Sequence, residues 1–252
     1  MGADADIALL QEARLPPEDV AAKLEVDPAP FHNAEGRRIS RTVIVKLSDR
    51  VQVEWLEPVP IADARGGDLV VSQPGCIAAC IITPPDAEPF VAASICAAYD
   101  KPHRSTGKMS WNITDASVHR VISDLSLLIG RQRGHRIVAA GDLTVWYGYG
   151  WNEYWERRNA TVFSRMEAIG LPLVGPQYPN GRQADPWPGW LPKDSLNVPT
   201  YYDIGASPAT ANGQLDFVFA SESMVDSVQV RALNHPEEWG PSDHCRLEIV
   251  VG

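Results

Sequence analysis

The sequence predicts a mixed α/β fold in a single domain that spans residues 1–252. Short apolar runs rich in Val, Ile and Ala recur along the chain and are typical of buried strands. Two longer segments, 115–129 and 154–169, instead carry apolar residues at helical spacing. A chain of 252 residues is long enough for one large two-sheet domain. The polar motifs described below lie near both ends and in the middle, which favours one domain over two.

The first half of the chain predicts mainly strands. An apolar strand over residues 5–12 ends in Glu12, and a short helix is expected from Pro16 to about Glu25. The runs 42–47 and 51–56 flank Ser48-Asp49-Arg50, and we expect them to form a β-hairpin. Further strands are expected at 69–72, 76–83 and 90–96.

The second half predicts two helices, a long loop and three strands. The helix over 115–129 has Thr114 or Asp115 as its N-cap and ends at Gly130, and a second helix runs from about Tyr154 to Ile169. Residues 175–199 are rich in proline and glycine and predict a long ordered loop. The strands are expected at 136–142, at 214–221 and from Arg246 to the C-terminus.

Charge, hydropathy and cysteine spacing argue against several classes of protein. The chain has 22 basic and 32 acidic residues, a formal net charge of −10, which argues against a protein that coats nucleic acid. No apolar run approaches the ~18–20 residues of a membrane helix, and no secretory leader is visible at Met1. Cys76 and Cys80 lie on one face of a strand, about 13 Å apart, too far for a disulfide. We expect small buried thiols, a reducing environment and a cytoplasmic protein.

Four short segments carry acidic side chains at strand ends. They are Leu10-Gln11-Glu12, Gly141-Asp142-Leu143-Thr144, Leu215-Asp216-Phe217 and Ser242-Asp243-His244. A carboxylate beside an imidazole suits metal-assisted phosphate chemistry, and a rigid sheet can deliver side chains at its strand ends to one cleft. Taken singly, each acidic residue is ordinarily interpreted as a solvent-exposed side chain at the end of a strand. The four together, in this order, favour a functional site.

In this order the segments resemble the motifs of the endonuclease/exonuclease/phosphatase superfamily, the DNase-I-like metal-dependent phosphoesterases. That family has LQE, GD-x-N, a (I/L)D-aromatic strand and SDH near the C-terminus. The resemblance implies a four-layer α/β sandwich: two packed, mostly antiparallel sheets flanked by helices. It also implies a Mg²⁺- or Mn²⁺-dependent phosphodiesterase or nuclease-like hydrolase, which cleaves a phosphate ester by in-line attack of an activated water.

The resemblance assigns a role to each acidic position. Glu12 would bind the metal, and Asp243 would contribute directly or through water, since hard oxygen ligands suit these ions. Asp142 would orient and deprotonate the attacking water. His244, held by Asp216, would donate to a non-bridging phosphate oxygen, because the carboxylate sets the imidazole tautomer and favours its protonated form.

Substrate contacts are expected at two further places. Arg104, with Lys101, His103 and Lys108, follows the 90–96 strand and either neutralises substrate phosphate or lies in a solvated loop. Trp146, just after Thr144, either stacks on a base, flanks a lipid headgroup or packs in the protein. The substrate stays open among nucleic acid, a phosphoinositide, sphingomyelin and a small phosphodiester, and the sequence gives no indication of oligomeric state.

Three departures from the family pattern favour an alternative function. The family opens with a strand bearing Asn before LQE, whereas Met1 lies eleven residues before Glu12, so we expect an N-terminally shortened domain. Trp111-Asn112-Ile113 resembles that segment but is interpreted as a loop before a helix. Thr144 stands where the family most often has Asn, and Cys96 where it has His or Tyr. The alternative is a non-catalytic member of the fold that acts as a binding module.

Overall fold

The computed structural model describes residues 4–32, 35–37, 39–106, 113–131 and 133–252. They form two compact units, Met1–Gly141 and Asp142–Gly252, each built from helices and β-strands. The predicted mixed α/β class is confirmed. Lys108 and the Trp111-Asn112 pair lie outside the described residues. Within the described ranges, no helix has the length and apolar character needed to cross a membrane.

The first unit is built mainly from strands. A three-stranded antiparallel sheet has the order β1–β3–β2, and four further strands of this unit lie side by side in the order β9–β8–β7–β4. β5 and β6 form a short parallel pair. The strands are β1 (Ile7–Ala13), β2 (Glu25–Val26), β3 (Arg41–Lys46), β4 (Gln52–Leu56), β5 (Pro58–Pro60), β6 (Leu69–Val71), β7 (Ile77–Thr83), β8 (Phe90–Cys96) and β9 (Ile137–Asp142).

The core of the first unit lies between these sheets. β1 and β3 pack against β7 and β8, and the side chains of Ile44, Cys80 and Ala93 are completely buried there. Helix α2 (Asp115–Leu125) packs against β6 and β8 through a buried apolar stripe that includes Ile122. The unit therefore contains two packed sheets with a helix against them, in agreement with the expected sandwich.

Three predicted elements of this unit differ from the structure. The expected hairpin is wrong: both edges of β3 are occupied by β1 and β2, and β4 pairs with β7 instead. Apolar patterns predict strands but do not select their partners. The first helix, α1, covers only Glu18–Ala21, because Glu25–Val26 pairs with β3. β1 is only half-buried because it is an edge strand of its sheet.

A buried ion pair links Asp27 to Arg41, the first residue of β3. Nη1 of Arg41 lies 2.7 Å from Oδ1 of Asp27, and both side chains are almost fully buried. The other carboxylate oxygen of Asp27 accepts from the Ile44 amide at 2.9 Å, and the Arg41 guanidinium lies 4.2 Å from the centre of the Phe31 ring. These contacts hold the segment before β3 against the sheet.

The second unit contains two antiparallel strand pairs and one long helix. β10 (Leu173–Gly175) pairs antiparallel with β11 (Asp216–Ala220), and β12 (Val228–Leu233) pairs antiparallel with β13 (Arg246–Val251). Helix α3 (Glu153–Ala168) begins at Asn152, whose side chain accepts from the Trp155 amide. Its Phe163 ring meets the fully buried Phe217 ring edge-on, with 5.0 Å between their centres. The strands predicted at 214–221 and from Arg246, and the second helix, are confirmed within two residues, whereas β10 and β12 were not predicted.

The proline-rich segment 175–199 is a long loop, as predicted, and the structure shows that buried amide side chains hold it in place. Gln214 accepts from the Val198 amide at 3.0 Å and donates to the Pro176 carbonyl at 2.9 Å. Asn234 donates to the carbonyls of Arg182 and Pro199, both at 2.8 Å. Because these buried amides are satisfied by loop backbone, the loop is a fixed part of the second unit.

Gly141 supports a prediction about stability. A Cβ at this position would lie 1.8 Å from the Ile95 carbonyl oxygen of β8, and its φ is 155°. We expect Gly141→Ala to lower the free energy of unfolding by about 3 kcal/mol or more, because backbone must move. Urea unfolding measures this. Gly134→Ala is the control: its φ is 81°, its Cβ meets no other described heavy atom within 4 Å, and we expect a loss of about 1 kcal/mol. An equal loss of unfolding free energy in the two variants would contradict the close contact between position 141 and the Ile95 carbonyl.

Candidate active site

Asp142 is oriented by Thr144. The Thr144 amide donates to Oδ1 of Asp142 at 2.7 Å, and the Thr144 hydroxyl donates to the same oxygen at 3.0 Å. Thr144 adopts a left-handed backbone with φ 47°, which closes this short turn. The two bonds hold Oδ1, so the other oxygen, Oδ2, can face a reacting group. The hydroxyl has one proton and uses it on Asp142, so it cannot donate to a phosphate at the same time.

Asp216 and His244 form the hydrogen-bonded pair that the sequence predicted. Nδ1 of His244 lies 2.7 Å from Oδ2 of Asp216, and Nε2 lies 4.0 Å from Oδ2 of Asp142. The second distance is too long for a hydrogen bond, so the Nε2 proton is not committed to Asp142. The structure therefore brings together Asp142, Thr144, Asp216 and His244. The His244 side chain keeps 25% of its surface exposed, which leaves it accessible to a substrate.

Thr200 forms hydrogen bonds with the backbone next to both Asp216 and His244. Its hydroxyl oxygen accepts from the amides of Leu215 and Asp216 at 3.0 and 3.1 Å, and its carbonyl accepts from the Cys245 amide at 2.8 Å. Thr200 is completely buried. Sequence reasoning missed this residue because it follows directly on the proline-rich loop. The β-prone Thr-Tyr-Tyr run at this point was the available signal.

A main-chain bond brings the two buried carboxylates near each other. The Leu143 amide donates to the Leu215 carbonyl at 3.0 Å, which aligns the residues on either side, Asp142 and Asp216. Burial and, next, the negative charge of Asp216 raise the pKa of Asp142, while His244 and the hydrogen bonds from Thr144 lower it, and together these effects place the pKa at about 7. Asp142 therefore titrates near neutral pH, where a general base is most effective.

His244 is an imidazolium at neutral pH. Burial disfavours its charged form, but the hydrogen bond and charge of Asp216 and the charges of Asp142 and Asp243 outweigh burial and raise the pKa of His244 to about 9. Its Nδ1 donates a hydrogen bond to Asp216, and its Nε2 lies 4.0 Å from Oδ2 of Asp142. Between about pH 7 and pH 9 His244 is therefore a proton donor and the ionised carboxylate of Asp142 is a proton acceptor.

Glu12 lies at an irregular point of β1. The pairing of β1 with β3 shifts register between Leu10 and Ala13, and Glu12 there has φ 51° and an exposed side chain. Among the described residues, Glu12 and Thr144 are the two non-glycine residues with positive φ. Such conformations cost about 1–3 kcal/mol and cluster at functional sites. Both fall inside the motifs that the sequence singled out.

The other predicted site residues are placed as follows. Asp243 is exposed, and its carbonyl accepts from the Tyr202 amide at 3.1 Å. Arg104 is exposed in a 3₁₀ turn of the first unit, Arg104–Thr106. Trp146 is half-buried and belongs to a stack of aromatic rings. In the part of the chain that the structure describes, no three His, Cys, Asp or Glu side chains gather as a metal-binding group.

The cysteines are buried and carry no disulfide. Burial raises the pKa of Cys76 to about 11 and of Cys80 to about 12, so both are neutral thiols. Cys96 is 6% exposed, and its thiol makes a weak hydrogen bond to the Ala97 carbonyl at 3.5 Å. These positions agree with the expected role of small packed residues.

The architecture matches solved nuclease structures. The endonuclease domain of TRAS1, a telomere-specific non-LTR retrotransposon, has a TM-score of 0.56 and 17% identity, over 98% of this chain and 86% of that chain. AP endonuclease LMAP from Leishmania major has a TM-score of 0.58 and 15% identity, over 99% and 79%. The 3′ phosphatase NExo from Neisseria, bound to product DNA hairpin, has a TM-score of 0.56 and 14% identity, over 98% and 89%.

The chain has the DNase-I-like fold. This fold is shared by AP endonucleases, exonucleases and phosphatases. No protein-family model matches the sequence, and no curated protein matches it. The identities of 14–17% restrict the similarity to the fold.

The raised pKa of Asp142 gives a stability prediction. In the unfolded chain this carboxyl ionises near pH 4, whereas in the protein it ionises near pH 7, so its ionisation costs stability progressively between these values. Asp142→Asn keeps an acceptor for Thr144 and removes the charge. We expect it to be more stable than wild type by about 1–4 kcal/mol at pH 8, with the difference shrinking towards pH 4.

Urea unfolding at several pH values measures this difference. Asp226→Asn, which removes an exposed carboxylate of the same unit, is the control and should track wild type throughout. An Asp142→Asn advantage that does not change with pH would contradict the shifted pKa.

Proposed function

We propose that this protein is a metal-dependent phosphoesterase of the phosphodiesterase or nuclease-like type. The observation that carries the proposal is the His244 imidazolium, which lies 2.7 Å from Asp216 and 4.0 Å from Asp142. One side of the imidazole is fixed by a carboxylate, and the other faces a second carboxylate that titrates near neutral pH. This is a proton donor and a proton acceptor arranged around one small space, as general acid–base chemistry requires.

Each side chain has a distinct task in the proposed reaction. Oδ2 of Asp142 accepts a proton from the attacking water, while Thr144 holds Oδ1 and so sets the direction of the carboxylate. Nε2 of His244 donates to a non-bridging phosphate oxygen and stabilises the charge that develops there. Asp216 keeps His244 protonated and fixes its ring orientation.

We propose Glu12 as the ligand of a catalytic Mg²⁺ or Mn²⁺, with Asp243 as a second contributor, direct or through water. Mg²⁺ takes one or two protein carboxylates and otherwise keeps its waters, so it does not require a preformed group of three acidic or histidine ligands. Both side chains are exposed carboxylates, and the strained backbone of Glu12 supports a functional role. When bound, the ion supplies Lewis-acid stabilisation of the phosphoryl oxygens.

We propose nucleic acid as the substrate class. The similar structures include an AP endonuclease and a phosphatase bound to a DNA hairpin. Phosphodiester groups suit an imidazolium donor beside a general base. Arg104 is the proposed phosphate contact outside the catalytic group, since its guanidinium is exposed and suits bidentate contact with phosphate. A non-catalytic binding module is the alternative outcome of the next experiment.

Hydrolysis of bis-(p-nitrophenyl) phosphate tests the reaction. We expect cleavage with Mg²⁺ or Mn²⁺ and none with EDTA. Asp142→Asn should lower the rate about 10²–10⁴-fold because it removes the general base, whereas Asp226→Asn should not change it. The rate should rise with pH as Asp142 ionises around pH 7 and fall as His244 loses its proton around pH 9. Cleavage that is unaffected by Asp142→Asn would overturn the mechanism, and absence of cleavage would favour the binding module.

Calorimetric titration with Mn²⁺ tests the metal ligand independently of activity. We expect Glu12→Gln to weaken binding clearly, because an amide oxygen carries no charge for a hard cation. Glu57→Gln is a suitable control, since Glu57 is another exposed carboxylate of the first unit and should leave binding unchanged. Equal Mn²⁺ affinity in wild type and Glu12→Gln would contradict the assignment of Glu12 as a metal ligand.

A further inference from the structure

A column of four stacked aromatic rings includes Trp146, which follows the turn at Asp142 to Thr144. The rings of Trp151, Trp146, Tyr149 and Trp190 stack in succession, with 5.4, 5.3 and 4.5 Å between neighbouring centres. The angles between neighbouring ring planes are 8°, 13° and 27°. Three of the chain's eight tryptophans belong to this column.

Both ends of the column are exposed at the protein surface, and its middle is more buried. Tyr149 is 6% exposed, whereas Trp151 at one end is 76% exposed and Trp190 at the other is 47% exposed. An indole with three quarters of its surface in water gains little from burial, so packing does not account for Trp151. Its stacking on Trp146 holds it in a defined orientation with a free π-face.

One ring of the column, Trp146, lies close in sequence to the proposed general base, Asp142. Trp146 is two residues beyond Thr144, whose side chain holds Asp142. Four residues of extended chain span at most about 14 Å, so the Cα atoms of Asp142 and Trp146 lie no further apart than that. A ligand on the column is therefore within a few nucleotides of a phosphate at Asp142.

The geometry of the column selects the ligand. A quaternary ammonium group is held by several ring faces that surround it, whereas parallel rings offer one flat face at the end of a stack. A planar aromatic ligand extends the column directly, and nucleobases stack on aromatic side chains in this way.

We propose that the free face of Trp151 binds an unpaired nucleobase of single-stranded nucleic acid. The site takes the base by stacking, so it accepts different bases, and Trp146 acts through Trp151 as the second ring of the column. This inference rests on the proposed function for its substrate class, but it concerns binding and makes no use of the metal.

Binding of a fluorescein-labelled twelve-nucleotide oligothymidylate, followed by fluorescence anisotropy in EDTA, tests the proposal. We expect Trp151→Ala to weaken binding roughly 5- to 100-fold, the loss of one stacked base, and Trp151→Phe to weaken it less. Tyr178→Ala is the matched control, because Tyr178 is a 51% exposed aromatic residue of the same unit. An oligonucleotide of equal length without bases carries the same phosphates. We expect its affinity to be weak and to be the same for wild type and Trp151→Ala.

The outcomes separate this proposal from the proposed function. Equal oligothymidylate affinity in wild type and Trp151→Ala, equal binding of the base-free oligonucleotide, or no binding by wild type overturns the stacking site. If Asp142-dependent hydrolysis of the small phosphodiester persists in that case, the phosphoesterase function stands alone. Trp151-dependent binding without any hydrolysis would instead support the stacking site and reject catalysis.

Discussion

The charge of one imidazolium makes the rest of the site possible. Asp142 and Asp216 are both largely buried, and two carboxylates in such surroundings repel each other and resist ionisation. His244 lies between them, and its positive charge offsets part of this repulsion. The carboxylates in turn keep the imidazole protonated. The three groups therefore determine one another's charge, and replacing any one of them changes the other two.

The main chain holds this arrangement in place. The hydroxyl and carbonyl of Thr200 bond to the backbone beside Asp216 and beside His244, so a single buried residue fixes two segments that are distant in sequence. The Leu143 amide adds a direct bond to the strand that carries Asp216. Placing catalytic groups on bonded backbone keeps their side chains within the narrow geometry that proton transfer requires.

The structure gives Thr144 a role that differs from that of an amide at the same position. An Asn has both a donor and an acceptor to divide between a phosphate and its surroundings, whereas the Thr144 hydroxyl donates its one proton to Asp142. The substitution therefore preserves the orientation of the proposed base. The left-handed backbone at Thr144 and the one at Glu12 are local strains that the packed sheets maintain, and both occur where side chains must be aimed.

The sequence by itself determined the positions of most strands, both long helices and the acidic positions at the strand ends. These signals are local: apolar periodicity, capping residues and short motifs. It also predicted the Asp216–His244 bond, through resemblance to a family. Only the tertiary structure decided that β3 pairs with β1 and β2 rather than with β4, because strand partners depend on which edges are free. The structure alone likewise showed the bonds of Thr200 and the stacking of Trp151, because both join residues that no local pattern links.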